Sequence, residues 1–295
     1  MGYILAADVG GTKLATALLS ANGTVLQAAE IRSEKNDGEK LFQSLIDSFK
    51  SLCMNTLVHI DEINGIAVGI PGIVDTENGI AIFQNNLPWI NFALTERLAN
   101  EFPKSNIIVD NDVYMAAWGE YTNREFSQES FVYVTLSTGI SCCSIYKGMF
   151  LRGAGMAGEI GFNLTDTPRT SLESLVSGPS LEAQGKKLLK NTNLTLKEMM
   201  EFYYEGNDCI LPLVNEAVRT LAKAIYHIIV LEDPHCIVLG GGVFNNHPGL
   251  IELVRKEVRQ YLNHPLLKGK EERIEASVYK ESAGLHGAAS RIIAN

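Results

Sequence analysis

The 295-residue sequence predicts an α/β protein made of two related lobes. Three observations predict it. Runs of β-branched and apolar residues alternate with segments whose apolar residues recur at helical spacing. A strand–turn–strand around Gly10-Gly11 is echoed by a second around Ser137-Thr138-Gly139, a coarse internal repeat that points to a duplicated lobe. Three strand ends carry glycine (Gly10-Gly11, Gly139 and Gly240-Gly241-Gly242), and α/β sheets bind ligands at the carboxyl ends of strands.

The elements follow in order. An apolar run from Tyr3 to Ala7 enters the first glycine turn, and a second from Leu14 to Leu19 leaves it. Ala21-Asn22-Gly23 turns the chain again into a strand over Val25 to Ile31, completing a meander. Leu41, Leu45, Phe49 and Leu52 place a helix over Gly38 to Leu57. Ile63 to Ile70 is a β-branched strand that ends in Gly69-Ile70-Pro71-Gly72, where Pro71 removes a donor and Gly72 permits close approach. Asn85 to Trp89 is a polar loop with one aromatic, Leu94 to Phe102 a short helix, and Asn106 to Val109 a strand running into Asp110-Asn111-Asp112. Val113 to Tyr121 is helical, and the polar stretch from Asn123 to Ser130 marks a change of composition. Strands over Phe131–Leu136 and Ile140–Tyr146 flank the second turn. A glycine-rich segment from Met149 to Phe162 precedes helices over Leu181–Leu189, Leu196–Tyr204 and Ile210–Leu231. The last of these carries Leu213, Ala217, Leu221 and Ile225 on one face. A strand over His235–Leu239 reaches the triple glycine, followed by a helix over Leu250–Leu262, a strand over Ile274–Tyr279 and a closing helix over Ala283–Ala294. The expected lobes are residues 1–112, completed by the helix at 283–295, and residues 113–282.

Composition narrows the function classes. With 46% hydrophobic and 20% charged residues the chain is ordinary for a globular protein. A net charge of −9 argues against nucleic acid as a main partner. No apolar run approaches the roughly 20 residues of a membrane span, and no basic segment with an apolar signal core opens the chain, so a cytoplasmic protein with no membrane partner is expected. The five cysteines show no Cys-x-x-Cys spacing. Cys142 and Cys143 lie in an apolar run and are expected to be packed thiols.

The chemistry centres on Asp8-Val9-Gly10-Gly11-Thr12-Lys13. Glycines let the backbone approach a bulky anion, and successive N–H groups in such a turn form an anion-binding concavity. Thr12 and Lys13 add a hydroxyl and a cation, and Asp8 can hold a metal ion or its water shell. The set suits a nucleotide phosphate with Mg²⁺; by itself it is equally a structural hairpin turn with an ion-paired Asp. The Walker A spacing is missing, and the triple glycine does not fit the Gly-x-Gly-x-x-Gly of a dinucleotide site. A split nucleotide site is more economical, with two hairpins on the phosphates and Gly240, Gly241 and Gly242 lying flat under an adenosine. Phosphoryl transfer to a hydroxyl then needs a base within hydrogen-bond reach. Asp112, at a strand-to-helix junction, is the first candidate and Asp110 the reserve; the competing role of Asp112 is a helix N-cap. Asn86, Asn111, Glu159 and Glu173 are suited to pair with sugar hydroxyls, and Glu159 is expected to be buried among glycines and apolar neighbours.

These pieces, in this order, resemble the ROK family of sugar kinases and related repressors. The matching segments are Asp8 to Lys13, Gly69 to Gly72, Asn111-Asp112, Ser137 to Ile140, Ala157 to Gly161, Leu172-Glu173 with Ser177-Gly178, and Gly240 to Gly242. The resemblance spans nearly the whole chain. It implies a two-lobed actin-like ATPase (ribonuclease H-like) fold closing over a sugar and ATP–Mg²⁺, and a homodimer. It implies Asp112 as base and Asn86, Asn111, Glu159 and Glu173 as sugar ligands. Gly10, Gly11, Thr12, Lys13, Thr138 and Gly139 line the phosphates, Gly240 to Gly242 the adenosine, and Asp8 supports Mg²⁺. The family-typical acceptor is a hexose 6-hydroxyl, with glucose, N-acetylmannosamine, fructose and a β-glucoside all open. Two departures matter. Phe162 stands where many members carry a zinc-binding His, and residues 163–171 contain no cysteine, so no structural zinc is expected. Ser141-Cys142-Cys143 replaces glycines of the second hairpin, which motivates a catalytically impaired sugar sensor as the alternative. Seven residues precede Asp8, so the repressors' helix-turn-helix is not expected there.

Overall fold

The computed structural model describes residues 2–84, 86–124 and 129–294. The chain divides into two compact units, Met1–Glu125 with Ser282–Asn295, and Phe126–Glu281. No helix among the described residues is long and apolar enough to cross a membrane.

The first unit begins with β1 (Tyr3–Val9), β2 (Lys13–Ser20) and β3 (Val25–Arg32), an antiparallel meander, followed by α1 (Gly38–Thr56). Next come β4 (Ile63–Ile70), the short strands β5 (Ile73–Asp75), β6 (Ile80–Phe83) and β7 (Ile90–Ala93), then α2 (Leu94–Glu101), β8 (Asn106–Asn111) and α3 (Asp112–Asn123). The main sheet has the order β3-β2-β1-β4-β8, with β4 and β8 parallel to β1. Both faces are covered, so β1 and β4 read as nearly unbroken apolar runs. Leu5, Ala7 and Val9 face Leu41, Leu45 and Phe49 of α1; burying each such leucine or phenylalanine contributes roughly 2 kcal/mol. Ile4, Ala6, Ala17 and Leu19 face the other way, toward Met115 of α3 and the closing helix.

β5, β6 and β7 form a separate three-stranded sheet in a stretch that the sequence presents as turn and loop. Strands of three or four residues are too short for an alternation to register. Trp89 of the expected polar loop is fully buried, stacks on Phe92 with ring centroids 5.1 Å apart, and donates its indole N–H to Gly38 O at 3.0 Å. Asn85 lies outside the described residues, as does most of the polar stretch after Asn123.

The second unit holds β9 (Ser130–Leu136), β10 (Ile140–Tyr146), β11 (Met149–Phe150), α4 (Leu172–Val176), α5 (Gly178–Leu189), α6 (Leu196–Tyr204), α7 (Ile210–Glu232), β12 (Cys236–Gly240), α8 (Gly242–Asn246), α9 (Gly249–Tyr261) and β13 (Ile274–Ala276). Its sheet has the order β11-β10-β9-β12-β13, again an antiparallel meander on one side of the first strand and two strands parallel to it on the other. The two sheets therefore share one topology, the structural counterpart of the repeated strand–turn–strand. α7 packs Ala217, Leu221 and Ile225 into this core beside Val254 and Val258 of α9. β13 stops at Ala276 rather than Tyr279.

The closing helix α10 (Ala283–Ile293) belongs to the first unit, against α3, β1 and β4. Glycines mark its crossing with α3. A Cβ added at Gly287 would lie 1.6 Å from Met115 O, and one at Gly119 would lie 2.8 Å from Gly287 N. That contact is why the division falls after residue 125 and not after 112. α3 is held to the first unit by α10 and does not open the second.

Candidate active site

In the first unit, one register row runs across the sheet: Glu30, Ala15, Asp8, Gly69 and Asp110 lie opposite one another on β3, β2, β1, β4 and β8. Directly opposed residues share a face, so Asp8 and Asp110 face α3 and α10. Between β1 and β2, Gly10 N–H donates to Lys13 O at 2.9 Å, Ser33 Oγ donates to Gly10 O at 2.6 Å, and Ser33 N–H donates to Thr12 O at 3.1 Å. Those bonds engage the turn's carbonyls; among the described residues no acceptor takes the N–H of Gly11 or Thr12. A pair of open, adjacent N–H groups is what an anion-binding concavity requires. A Cβ at Gly11 would lie 2.7 Å from Asn86 Cβ, so exposed Asn86 is packed against this turn. Lys13 is paired with Glu30 at 2.8 Å, both groups about half exposed. Such a pair contributes roughly 0–1 kcal/mol and is easily exchanged for a phosphate.

Asp8 is half-buried, with Oδ2 set where a Cβ on Gly284 would be 2.7 Å away. Its pKa is pushed up to about 7, first by burial and then by the nearby Asp112 carboxylate, against the pull of the Lys13 ammonium. Two neighbouring carboxylates beside a turn with open N–H groups offer the oxygen donors and anion cradle that a hydrated Mg²⁺ carried on phosphates takes.

Asp112 is the first residue of α3, and its Oδ1 accepts from Val113 N–H at 2.9 Å. The N-cap is Asn111 instead. Its side-chain oxygen accepts from Val113 N–H at 2.9 Å and Tyr114 N–H at 3.4 Å, and its Nδ2 donates to Gly72 O at 3.0 Å. Capping thus occupies much of the Asn111 amide, leaving one N–H for a ligand. Gly72 has φ +80°, and a Cβ there would lie 2.3 Å from Phe83 O, the close approach expected of this turn. The reserve base, Asp110, is 1% exposed and faces Arg291 at 3.9 Å. A carboxylate so enclosed has no route to a substrate hydroxyl.

In the second unit, Ser137 N–H donates to Gly139 O at 2.8 Å across the β9–β10 turn. Glu173 braces this turn. Its Oε2 accepts from Ile140 N–H at 3.2 Å and sits 2.4 Å from where a Cβ on Gly139 would be. Glu159 is exposed, contrary to the expected burial. The small residues before it serve the backbone, since Gly158 O accepts from Cys142 N–H at 2.8 Å, and leave Glu159 only partly covered. Its carboxyl is held above the ordinary range by partial burial and then by Glu173, which places the two acids in one neighbourhood. Phe162 is 70% exposed at the end of a short 3-10 turn that starts one residue after Glu159. Among the described residues no group of three or more His, Cys, Asp or Glu is arranged to hold a metal. Cys142 and Cys143 are buried, and burial pushes the Cys142 thiol up to about 12.

A cavity of about 820 Å³ opens beside the second turn. Ser137 and Thr138 line one part, Gly178, Pro179 and Glu182 of α5 another, Gly242, Val243, Asn246 and His247 a third, and α6 supplies Lys197, Met200, Glu201 and Tyr204. The volume is in the range of a cofactor site. The triple glycine is not a flat floor. Gly240 ends β12, Gly241 turns the chain at φ +87° with Thr135 and Leu136 at its back, and Gly242 starts α8. Of the three, Gly242 alone lines the cavity, and Thr138 does so where Gly139 does not. The α6 wall carries no motif, and its residues follow ordinary helical spacing, so nothing in the sequence marks them. Glu182 fixes that wall: it accepts from Leu196 N–H at 3.1 Å and from Lys186 Nζ at 2.7 Å.

The chain matches the model of the ROK family over residues 4–294. It is 30% identical to an N-acetylmannosamine kinase of Escherichia coli (strain SMS-3-5 / SECEC), with 97% of this chain and 96% of that protein covered. It is 29% identical to the N-acetylmannosamine kinase of Shigella flexneri, with 97% of each covered. Among solved structures it is similar to a ROK hexokinase from Thermus thermophilus (TM-score 0.78, 25% identity, 97% of this chain and 96% of that one). It is also similar to a ROK family glucokinase from Streptomyces griseus in complex with glucose and AMPPNP (TM-score 0.81, 21% identity, 98% and 99%). The fold is that of the actin-like ATPases.

Proposed function

Since the chain belongs to the ROK family and is a sugar kinase by that kinship, we propose that it transfers the terminal phosphoryl group of ATP to the 6-hydroxyl of a hexose or hexose derivative, with Asp112 as base. The observation that carries this reading is the closeness of Asp8 and Asp112 beside a turn whose Gly11 and Thr12 N–H groups are open. Asp112 accepts or orients the hydroxyl proton. The N–H groups of Gly11 and Thr12 hold phosphate oxygens, Gly10 gives the backbone room to approach them, and Lys13 exchanges Glu30 for them. Thr138 and Gly139 do the same from the second turn. The cavity beside Gly242 takes the adenosine. Asp8 would hold the water shell of a Mg²⁺ ion, which would supply positive charge against that developing on the phosphates. Asn86, Asn111, Glu159 and Glu173 pair with sugar hydroxyls. Catalysis on this scheme is positioning and charge neutralisation.

The relatives' names make N-acetylmannosamine the first sugar to test, followed by glucose, fructose and a β-glucoside. A coupled ADP-release assay over this panel is expected to show sugar-dependent turnover. Asp112→Asn should lower kcat by about 10²–10⁴-fold while calorimetry still shows sugar binding. Turnover at the wild-type rate in that variant would remove Asp112 from the mechanism, and sugar binding without turnover across the panel would favour a sensor.

A further inference from the structure

We propose that Arg291, on the last helix of the chain, is a positioning residue for Asp112 and acts through the buried carboxylate of Asp110. The proposal rests on Asp112 being the base. Asp110 sits near the end of β8 at 1% exposure, and a charge so placed requires a counter-charge. Arg291 supplies it at 3.9 Å, with its guanidinium 5.4 Å from the centroid of the Trp118 ring on α3. One planar group thereby joins β8, α3 and α10. A lysine, with a compact ammonium, cannot serve a carboxylate and a ring face in the same way.

The pair bears directly on the junction from which Asp112 springs. Asp110 Oδ1 accepts the N–H of Asn111 at 2.8 Å. Asn111 in turn caps α3 and ties it to Gly72 O. The orientation of three consecutive residues, the third of them Asp112, is therefore tied to a buried carboxylate that Arg291 faces at 3.9 Å. The same helix meets the other acid of the site: Gly284, near its start, lies against Asp8. α10 touches the supports of both carboxylates, and its crossing with α3 at Gly119 and Gly287 is too tight to slide. Loss of the Arg291 contact releases the far end of this brace.

The test uses the full chain in the sugar-dependent ADP-release assay, with Arg291→Gln, Arg291→Lys, Asp110→Asn, Asp112→Asn and the Arg291→Gln/Asp112→Asn double variant. Arg291→Gln is expected to lower kcat about 10- to 100-fold with KM for ATP and sugar within about twofold, the signature of a displaced reacting group. Arg291→Lys should retain more kcat than Arg291→Gln. The double variant should be no slower than Asp112→Asn alone, because an effect exerted through Asp112 vanishes when Asp112 is gone. Asp110→Asn removes the charge while keeping the size and shape of the side chain, and serves if Arg291→Gln does not fold; it should lose kcat at unchanged KM. Wild-type kcat in Arg291→Gln or in Asp110→Asn, or a loss additive with Asp112→Asn, would overturn the proposal while leaving the kinase reading intact. Wild-type turnover in Asp112→Asn would overturn both.

Discussion

Asp8 carries two opposing demands. Supporting a metal ion asks for a charged carboxylate, whereas its half-buried position beside Asp112 disfavours that charge and lifts its pKa to about 7. A carboxyl whose folded pKa lies above its unfolded value holds its proton more tightly in the native state. Its contribution to stability is complete below about pH 4 and is lost as pH rises through about 7. The ligand-free protein should therefore gain thermal stability from Asp8→Asn at pH 8, by on the order of 1 kcal/mol once its partial exposure is allowed for. The gain should disappear near pH 4, and the same variant should lose turnover. Melting curves at the two pH values check this; a variant less stable than wild type at pH 8 would show that the charge is not penalised. Glu159 shows how a residue-scale inference can miss. Its glycine and apolar neighbours predict burial, yet those neighbours pack their backbone on β10 and leave the residue largely exposed. Composition around a residue does not report which way its side chain points.

At the scale of elements, α6 and the α3–α10 crossing make the sharpest predictions. α6 forms a wall of the cavity, and its first N–H is tied to Glu182. Glu182→Ala should raise KM for ATP by about tenfold, the roughly 1.5 kcal/mol worth of one charge-assisted bond, and leave KM for the sugar unchanged. Separate titrations of ATP and sugar in the coupled assay distinguish the two. Gly287→Ala would put a methyl group 1.6 Å from Met115 O, and helices that cannot separate without opening a core transmit such a clash. A loss of about 2–4 kcal/mol in urea unfolding is expected; an unchanged midpoint would mean that the helices part freely. Elements of seven residues or more were legible because each shows several periods of its pattern: β1, β2, β4, β10, α6 and α7 all lie where the spacing of apolar residues puts them. β5, β6, β7 and α8 are too short to show one period clearly, and α8 is further disguised because it starts on the last of three glycines.

For the whole molecule, the shared order of the two sheets accounts for the repeated turn. Each five-stranded sheet carries its first hairpin at the same place in its strand order, so the shared topology supplies two glycine-bearing turns. An AMPPNP–Mg²⁺ mixture that binds the native state alone should stabilise the protein by about 2.7 kcal/mol at a hundredfold excess over Kd. With no cysteine between residues 163 and 171, a zinc-selective chelator should leave the melting temperature unchanged. EDTA, by removing Mg²⁺, should stop turnover without unfolding the chain. A chelator-induced drop in melting temperature would reveal a structural metal.

Local spacing alone specified the two glycine turns, the strands and helices that flank them, and which residues are candidates for phosphate and base chemistry. These depend on neighbours a few residues apart, and such neighbours are written consecutively. Long-range packing decided the rest. It made Asn111 the cap and left Asp112 at the start of the helix, buried Asp110 beside Arg291, turned Glu173 onto the second hairpin, and built the cavity from α5, α6 and α8. Each of those contacts joins residues far apart in the chain or depends on how a whole helix seats against a sheet. Burial and charge pairing act through space, so they are settled only when the sheets and helices have packed.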